Sequence, residues 1–216
     1  MSFHTIFFDL DGTLTDSAPG VLACVRYALD KLGVDPAGRD TAENFIGPPL
    51  MTSFTAQYAF DEATARQAVA YYRERYSTVG LFENSVYPGV TNMLAALQQA
   101  GKQLVLATSK PEVFTLRILD HFDLRRYFVH VAAAALDGSR DEKIDVLRYG
   151  MALCGLTDGG GCAMVGDRAT DILAGHACGM TGVGVLYGGG SRRELTDAGA
   201  DLLAASAGAL TPLLLA

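Results

Sequence analysis

The sequence has few residues that could cross-link it or bind a soft metal. Its cysteines show no C-x-x-C pairing and no histidine at metal-ligand spacing, which argues against a disulfide framework or a zinc site. They are Cys24, Cys154, Cys162 and Cys178. We therefore expect buried free thiols and a reducing, cytoplasmic location.

Positive charge is also scarce. The chain carries 24 acidic residues against 17 lysines and arginines, which gives a net charge of −7. That balance argues against a nucleic-acid polymer or an anionic membrane surface as a partner. Lysine occurs only as Lys31, Lys102, Lys110 and Lys143. An acidic protein that acts on an anionic substrate needs local cations, so each lysine is a candidate for substrate binding.

Long apolar runs are missing as well. The N-terminus shows no charged segment followed by an apolar one, so we expect no signal peptide. The apolar tail, 204–216, is too short to span a bilayer and contains Pro212, so we expect a final docked helix. With 216 residues, 50% of them hydrophobic, the chain is long enough for one good-sized domain or for a core domain that carries a smaller insert.

Two acids follow the first apolar run. Thr5–Phe8 is β-branched and aromatic, with Gly12 soon after it, which predicts a short buried strand. Asp9 and Asp11 then lie at its carboxyl end, where open parallel sheets bind ligands. Because residues i and i+2 of a strand can face the same side, these acids favour a hard cation such as Mg²⁺. The alternative is a strand end with solvated acids and a turn glycine.

Between this strand and the next, the sequence predicts helices. Ser17 suits an N-cap, Pro19 a first turn and Gly33 a helix end. Two more helices are predicted at 50–60 and 61–78, and no strand is evident before Gln103. A simple β–α–β crossover needs only about a dozen residues. We therefore predict an inserted helical cap domain at 16–86.

The rest of the chain alternates strands with helices, which favours a doubly wound parallel α/β sheet formed by 1–15 and 87–216. Strands are predicted at 103–107, 128–132, 162–166 and 182–186, and a helix at 90–100. Capping-box spacing predicts further helices that begin at Ser109 with Glu112 and at Ser191 with Glu194. Gly188–Gly190 lacks the spacing of a phosphate-binding loop, and we expect a flexible loop there.

Polar side chains suited to phosphoryl transfer follow these strands. Thr108 ends one strand and could donate to a phosphoryl oxygen, with helix capping as the alternative. Lys143 lies at a predicted helix start, where a cation is unusual, although its acidic neighbours could explain it. Asp167 and Asp171 follow strand 162–166 and could face the same pocket; a helix N-cap with a first-turn acid is the alternative.

In order and in strand context, these residues resemble the four motifs of the haloacid dehalogenase-like phosphohydrolases. The first motif is matched by Asp-Leu-Asp-Gly-Thr-Leu-Thr-Asp-Ser, 9–17, and the resemblance covers essentially the whole chain. Segments 45–50, 107–112, 136–140 and 165–168 are similar to the phosphoglycolate-phosphatase-like branch and, within it, to the 5′-nucleotidase-like group. Thr170 stands where that group has a histidine, a departure that bears on the subgroup more than on the chemistry.

The resemblance implies a role for each residue. The nucleophile is Asp9, the acid and then base is Asp11, and the phosphoryl oxygens are held by Thr108 and Lys143. The metal site is assigned to Asp9, Asp11, Asp167 and Asp171: Mg²⁺ is bound by Asp9, the backbone carbonyl of Asp11 and Asp167, and Asp171 orients the metal's waters or their neighbours. Substrate contacts are assigned to Gly12, Thr13, Gly47, Thr108, Ser109, Lys110 and Lys143. The cap is expected to close over this site.

The implied reaction is Mg²⁺-dependent hydrolysis of a small phosphomonoester through an aspartyl-phosphate. A nucleoside 5′-monophosphate is the expected substrate, its base stacked on a cap aromatic; phosphoglycolate is the alternative, its carboxylate held by Arg26, Arg73 or Lys110. A dehalogenase would not need Asp11, a phosphomutase would share these motifs, and a receiver-like phospho-aspartate switch would be shorter and lack the cap. The oligomeric state is left open by the sequence.

Overall fold

The chain forms two compact units in the computed structural model, which describes residues 3–137 and 139–216. The sheet unit comprises the chain up to Thr15 together with Val86–Ala216, and the helical unit comprises Asp16–Ser85. Their assignment as catalytic core and cap stays a prediction. Gly138, from segment 136–140 of the resemblance, lies outside the described residues, as do Met1 and Ser2.

The sheet unit is a parallel α/β fold, as predicted. The described strands are β1 Thr5–Phe8, β2 Thr15–Asp16, β3 Ser85–Val86, β4 Gln103–Pro111, β5 His130–Ala134, β6 Cys162–Gly166, β7 Thr181–Val185 and β8 Leu202–Ala204. Six of them form one sheet in the order β5-β4-β1-β6-β7-β8, with every neighbouring pair parallel. The short strands β2 and β3 pair with each other where the chain passes between the units.

Helices follow the strands of the sheet unit and make up the helical unit. In the helical unit they are α1 Ala18–Leu32, α2 Ala42–Phe45, α3 Leu50–Tyr58 and α4 Glu62–Tyr76. In the sheet unit they are α5 Val90–Gln99, α6 Glu112–His121, α7 Lys143–Leu153, α8 Ala169–Ala177, α9 Arg192–Asp197 and α10 Ala207–Leu215. Single turns of 3₁₀ helix lie at Gly80–Phe82 and Arg125–Tyr127.

The strand predictions are right at the centre of the sheet and less accurate toward its edges. Strands β1 and β6 have the predicted bounds, whereas β5 begins at His130 instead of 128 and β7 at Thr181 instead of 182. Strand β8 was not predicted, because a run as short as Leu202–Ala204 gives no alternation to detect. The central strands are buried on both faces and are therefore continuous apolar runs, which sequence patterns reveal best.

The predicted capping box at Ser109 is wrong. Strand β4 continues through Pro111, which is itself the N-cap of α6. A residue that precedes proline is held away from helical backbone angles, so Lys110 cannot begin a helix that Ser109 caps. The pairing of β4 with β5 instead shifts register between Thr108 and Pro111, which makes a bulge at the carboxyl end of β4.

The helical unit begins and ends its first helix as predicted, but with a different capping group. Ser17 occupies the N-cap of α1 without a side-chain cap, and Asp16 Oδ1 accepts a hydrogen bond from the backbone N–H of Ala18 at 3.2 Å. Gly33 ends the helix in the left-handed conformation, with φ 67°. Four aromatic residues of the helical unit are buried packing residues, namely Phe45, Phe54, Tyr72 and Tyr76.

The four cysteines are free, as predicted, but only two of them are fully buried. Cys24 and Cys162 are buried, whereas Cys154 and Cys178 are half-buried. Within the described parts of the chain, none of the helices combines the length and the apolar composition needed to cross a membrane.

Helix α8 lies close to the sheet at Gly175, and this contact leads to a prediction. A Cβ added there would lie 2.9 Å from the Cβ of Met164 on β6, too close for two carbon atoms. We expect Gly175→Ala to lower the free energy of unfolding by about 1–3 kcal/mol in urea denaturation, because α8 must move off the sheet.

Gly208→Ala is the matched control for that measurement. Gly208 is exposed in α10, and an added Cβ would meet nothing closer than Ser206 Oγ at 3.8 Å. Alanine should raise stability there by about 0.4–1 kcal/mol. Equal stability of the two variants would contradict the close packing of α8.

Candidate active site

The predicted site residues meet at the carboxyl edge of the central strands. Strands β4, β1 and β6 are neighbours in the sheet. Asp9 and Asp167 directly follow β1 and β6, whereas Thr108, predicted to end its strand, lies inside β4, where the register shift near the carboxyl end of that strand begins. Lys143 is the first residue of α7, and Asp171 lies in the first turn of α8. Parallel strands end at the same edge, so residues far apart in sequence are brought together there.

Three carboxylates form a buried cluster. Asp9, Asp167 and Asp171 each offer an oxygen within 4.8 Å of the others, and their exposed fractions are 8%, 1% and 1%. Burial, followed by the neighbouring charges of Asp171 and Asp9, raises the pKa of Asp167 to about 8. Burial also raises the pKa of Asp171, against the lowering effect of Lys143. An all-oxygen set that resists ionisation fits a hard divalent cation.

Lys143 provides the positive charge of the cluster. Its Nζ lies 2.8 Å from Asp9 Oδ1, 2.8 Å from Asp171 Oδ1 and 3.0 Å from the carbonyl oxygen of Ala107. Burial lowers the pKa of Lys143, but the carboxylates of Asp171 and Asp9 outweigh it, and the pKa rises above its ordinary value. The lysine is therefore a fixed ammonium directed at the predicted nucleophile.

The side chain of Asp11 lies in a different contact from that of Asp9. Its Oδ2 is 2.9 Å from Lys110 Nζ, in an ion pair whose side chains are 16% and 8% exposed respectively. Lys110 belongs to the β4 bulge, and its backbone N–H donates to Thr108 Oγ1 at 3.2 Å. The bulge thus places a cation beside the predicted acid and leaves the Thr108 hydroxyl hydrogen available for another acceptor. Asp11 was predicted to bind metal through its carbonyl only, and that stays a prediction.

The turn after Asp11 packs against Asp167. Gly12 has φ 81°, and a Cβ there would lie 2.2 Å from Asp167 Oδ2, so only glycine fits. Thr13 Oγ1 donates to Asp167 Oδ1 at 3.4 Å. Both residues were predicted to contact substrate, and that stays a prediction. In the structure, each lies against Asp167, a predicted metal ligand.

Two predicted substrate residues have less support from the geometry. Gly47 belongs to the helical unit, where its φ of 103° suits glycine, and its contact with substrate stays a prediction. Ser109 follows Thr108 in β4 and is half-buried. Within the described residues, 3–137 and 139–216, no hydrogen bond joins Gly47 or Ser109 to the carboxylate cluster.

Two groups after β7 that no sequence pattern predicts also contact the site. The backbone N–H of Gly189 donates to Asp167 Oδ2 at 2.7 Å, and the hydroxyl of Tyr187 donates to the carbonyl oxygen of Thr13 at 3.0 Å. The sequence favours a flexible loop at Gly188–Gly190, whereas in the structure Gly189 is bonded to Asp167. The glycine run was the sole sequence signal, and it does not say which carboxylate the loop approaches.

Comparisons with known proteins agree on one family. Residues 3–179 match the hydrolases described as haloacid dehalogenase-like hydrolase. A predicted phosphatase from Clostridium acetobutylicum has a similar structure, with a TM-score of 0.91 at 41% identity over 100% of this chain and 99% of that one.

Relatives with named activities are similar over most of the chain. A 5′-nucleotidase from Pseudomonas aeruginosa is 43% identical over 90% of this chain and 88% of its own length. The tyrosine-protein kinase PtkA of Mycobacterium tuberculosis is 39% identical over 89% of this chain, which spans 65% of that protein's length. A phosphoglycolate phosphatase from Pseudomonas fluorescens is 31% identical over 89% of this chain and 72% of its own length.

The charge of the cluster predicts an unusual pH dependence for the cation-free protein. Because the pKa of Asp167 rises from an ordinary 3.8 to about 8 on folding, the folded state holds a proton that the unfolded state releases. Stability therefore falls as pH rises between these values, and Asp167→Asn removes this loss. We expect the variant to be more stable than wild type at pH 8 in EDTA, by more than about 1 kcal/mol, and the gain to vanish near pH 4.

Thermal unfolding with and without Mg²⁺ checks this prediction. Mg²⁺ should raise the Tm of the wild type and raise that of Asp167→Asn much less. The exposed control Asp158→Asn should behave as wild type in both conditions. A variant less stable than wild type at pH 8 in EDTA would show that the Gly189 and Thr13 contacts outweigh the repulsion.

Proposed function

The chain belongs to the haloacid dehalogenase-like hydrolase family and is a phosphoric monoester hydrolase, and from that premise we propose that it hydrolyses nucleoside 5′-monophosphates with Mg²⁺ through an aspartyl-phosphate on Asp9. The observation that carries the mechanism is the position of Asp9. Its carboxylate lies directly after β1, with one oxygen on the Lys143 ammonium and with two further carboxylates within 4.8 Å.

The reaction proceeds in two displacements at phosphorus. In the first, an oxygen of Asp9 forms a bond to phosphorus while the ester P–O bond breaks, and Asp11 gives a proton to the leaving alcohol. In the second, Asp11 takes a proton from water, whose oxygen attacks phosphorus and releases phosphate and the Asp9 carboxylate. The side chain of Asp11 contacts Lys110, whereas that of Asp9 contacts Lys143, so the two acids have separate partners.

Other side chains hold the phosphoryl group and the cation. Thr108 can donate its hydroxyl hydrogen to a phosphoryl oxygen, and Lys143 directs its ammonium to the atom that attacks. Asp9, Asp167 and Asp171 would hold Mg²⁺, which supplies positive charge for the phosphoryl oxygens. The Gly189 and Thr13 hydrogen bonds orient the Asp167 carboxylate for that role.

The choice of a nucleotide substrate rests on similarity and on the cap aromatics. The 5′-nucleotidase relative is 43% identical to the chain, whereas the phosphoglycolate phosphatase relative is 31% identical. Phe45, Phe54, Tyr72 and Tyr76 are buried, whereas Tyr58 and Tyr71 are half-buried and could offer ring surface to a base. Tyr58 already stacks under the guanidinium of Arg39, 4.7 Å from its ring centre, which makes Tyr71 the better candidate.

Phosphoglycolate is the second candidate substrate because of Lys110. Its ammonium lies 2.9 Å from Asp11, the group that protonates the leaving oxygen in the proposed mechanism. A carboxylate one carbon away from that oxygen would lie within reach of the ammonium. A nucleoside offers no such charge at this position.

Asp9→Asn tests the nucleophile. The amide has nearly the same shape, so the variant should fold, but it cannot form the aspartyl-phosphate. We expect release of phosphate from p-nitrophenyl phosphate to fall by roughly three orders of magnitude or more. Asp30→Asn, an exposed change in α1, should retain full activity. If Asp9→Asn kept more than about a tenth of the wild-type rate, the assignment would be wrong.

A panel of phosphomonoesters ranked by kcat/KM tests the substrate. We expect at least one nucleoside 5′-monophosphate to exceed 2-phosphoglycolate. A rate for phosphoglycolate about tenfold above every nucleotide would reject the nucleotide proposal and leave the hydrolase assignment intact. Lys110→Met separates the two cases further, because it should lower kcat/KM for phosphoglycolate more than for p-nitrophenyl phosphate only if Lys110 binds the carboxylate.

A further inference from the structure

Residues Tyr187–Glu194, which comprise most of the loop after β7 and the first turn of α9, touch both turns that lie around Asp167. Tyr187 reaches the turn after β1 through its hydrogen bond to the Thr13 carbonyl. Glu194 reaches the turn after β6 at Arg168 and Ala169. One short segment thus joins two turns that are far apart in sequence, and we call it the 187–194 segment.

The close approach of this segment depends on its glycines. A Cβ on Gly188 would lie 2.2 Å from the carbonyl oxygen of Gly12 and 2.4 Å from Asp167 Cβ. A Cβ on Gly190 would lie 1.8 Å from the carbonyl oxygen of Asp167. Any side chain at either position would push the segment away from the metal-ligand turn. The run of glycines is therefore a packing requirement at this site.

Glu194 fixes the start of α8 from the other side. Its Oε1 accepts hydrogen bonds from Arg168 Nε and from the backbone N–H of Ala169, each at 2.9 Å. The backbone N–H of Arg168 donates to Asp171 Oδ2 at 3.0 Å. The first N–H groups of α8, which have no partner within the helix, thus donate to two carboxylates. One of these carboxylates, that of Asp171, is a predicted metal ligand.

We propose that Glu194 is a positioning residue for the cation site. Glu194 holds the 167–169 turn so that Asp167 and Asp171 face Asp9. The proposal rests on the proposed function, because it takes these three carboxylates as the Mg²⁺ ligands. Glu194 itself does not join the cluster; it acts through Arg168 and Ala169. Groups that orient metal ligands in this way commonly change metal affinity by about 10–100-fold when removed.

A purely structural role for Glu194 makes a different prediction. Glu194 also lies in the first turn of α9, where its backbone N–H donates to Ser191 Oγ at 3.1 Å. If Glu194 served only to stabilise α9, its removal would lower stability and leave Mg²⁺ affinity unchanged. Ser191→Ala provides the matched control, because it removes the cap of α9 and leaves the Glu194 carboxylate in place.

The experiment measures Mg²⁺ binding to the full chain by calorimetry, without substrate, alongside thermal unfolding in EDTA. We expect Glu194→Ala to raise the Kd for Mg²⁺ about tenfold. Glu194→Gln keeps an oxygen acceptor but loses the charge that pairs with Arg168, so its Kd should lie between those of wild type and Glu194→Ala. Ser191→Ala should lower Tm and keep the wild-type Kd.

The outcomes separate this proposal from the function on which it rests. A wild type that binds Mg²⁺, with a Glu194→Ala Kd raised less than about threefold, would overturn the positioning role and leave the cation site standing. If Glu194→Ala does not fold, the same threshold applied to Glu194→Gln decides. A wild type that fails to bind Mg²⁺ would overturn the cation site itself, and the positioning role with it.

Discussion

Three carboxylates lie buried together in the sheet unit, and their mutual repulsion must be balanced by the groups around them. Asp9, Asp167 and Asp171 are each at most 8% exposed, and Lys143 is the one ammonium bonded to them within the described residues. A single lysine cannot balance three negative charges, which is why burial and neighbouring charge raise the pKa of Asp167. One divalent cation would complete the balance.

The scaffold meets this constraint with backbone groups as well as side chains. The N–H groups of Arg168 and Gly189 donate to Asp171 and Asp167 respectively. Lys143 begins α7, where a cation is disfavoured by the helix dipole, but its side chain extends to Asp9 and Asp171, and those ion pairs explain its position. The unusual placement that the sequence shows is thus resolved by contacts with residues distant in the chain.

Sequence patterns predicted the parts of the fold and site that depend on neighbouring residues. The apolar runs of β1 and β6 and the acids directly after them are local signals, and all four clustered residues were named from them or from the family resemblance. The Lys110–Asp11 pair depends on a bulge in β4, and the capping box at Ser109 fails because of Pro111. The ion pair cannot be read without the strand register, whereas the failure of the capping box follows from Pro111, which bars Lys110 from the helical conformation.

Contacts made by the backbone were hidden for a different reason. Gly189 contributes its N–H, which every residue except proline possesses, so no letter of the sequence marks it as a ligand-orienting group. Ser191 caps α9 as its capping-box spacing predicted, but the carboxylate of Glu194 binds Arg168 and Ala169. The Ser191–Glu194 spacing indicated where α9 begins, but it could not indicate that the Glu194 carboxylate binds the turn after β6.

The central place of β1 in the sheet has a consequence for how the chain is made. Strand β1 precedes both of its neighbours in the chain, because β4 and β6 begin only at Gln103 and Cys162. Until they are available, Ile6, Phe7 and Phe8 form an apolar strand with both edges open, the kind of surface that pairs with other chains. Incomplete chains that end before β4 therefore expose β1 as an aggregation-prone strand that the folded sheet buries completely, and the need for chaperones should be greatest during that interval of synthesis.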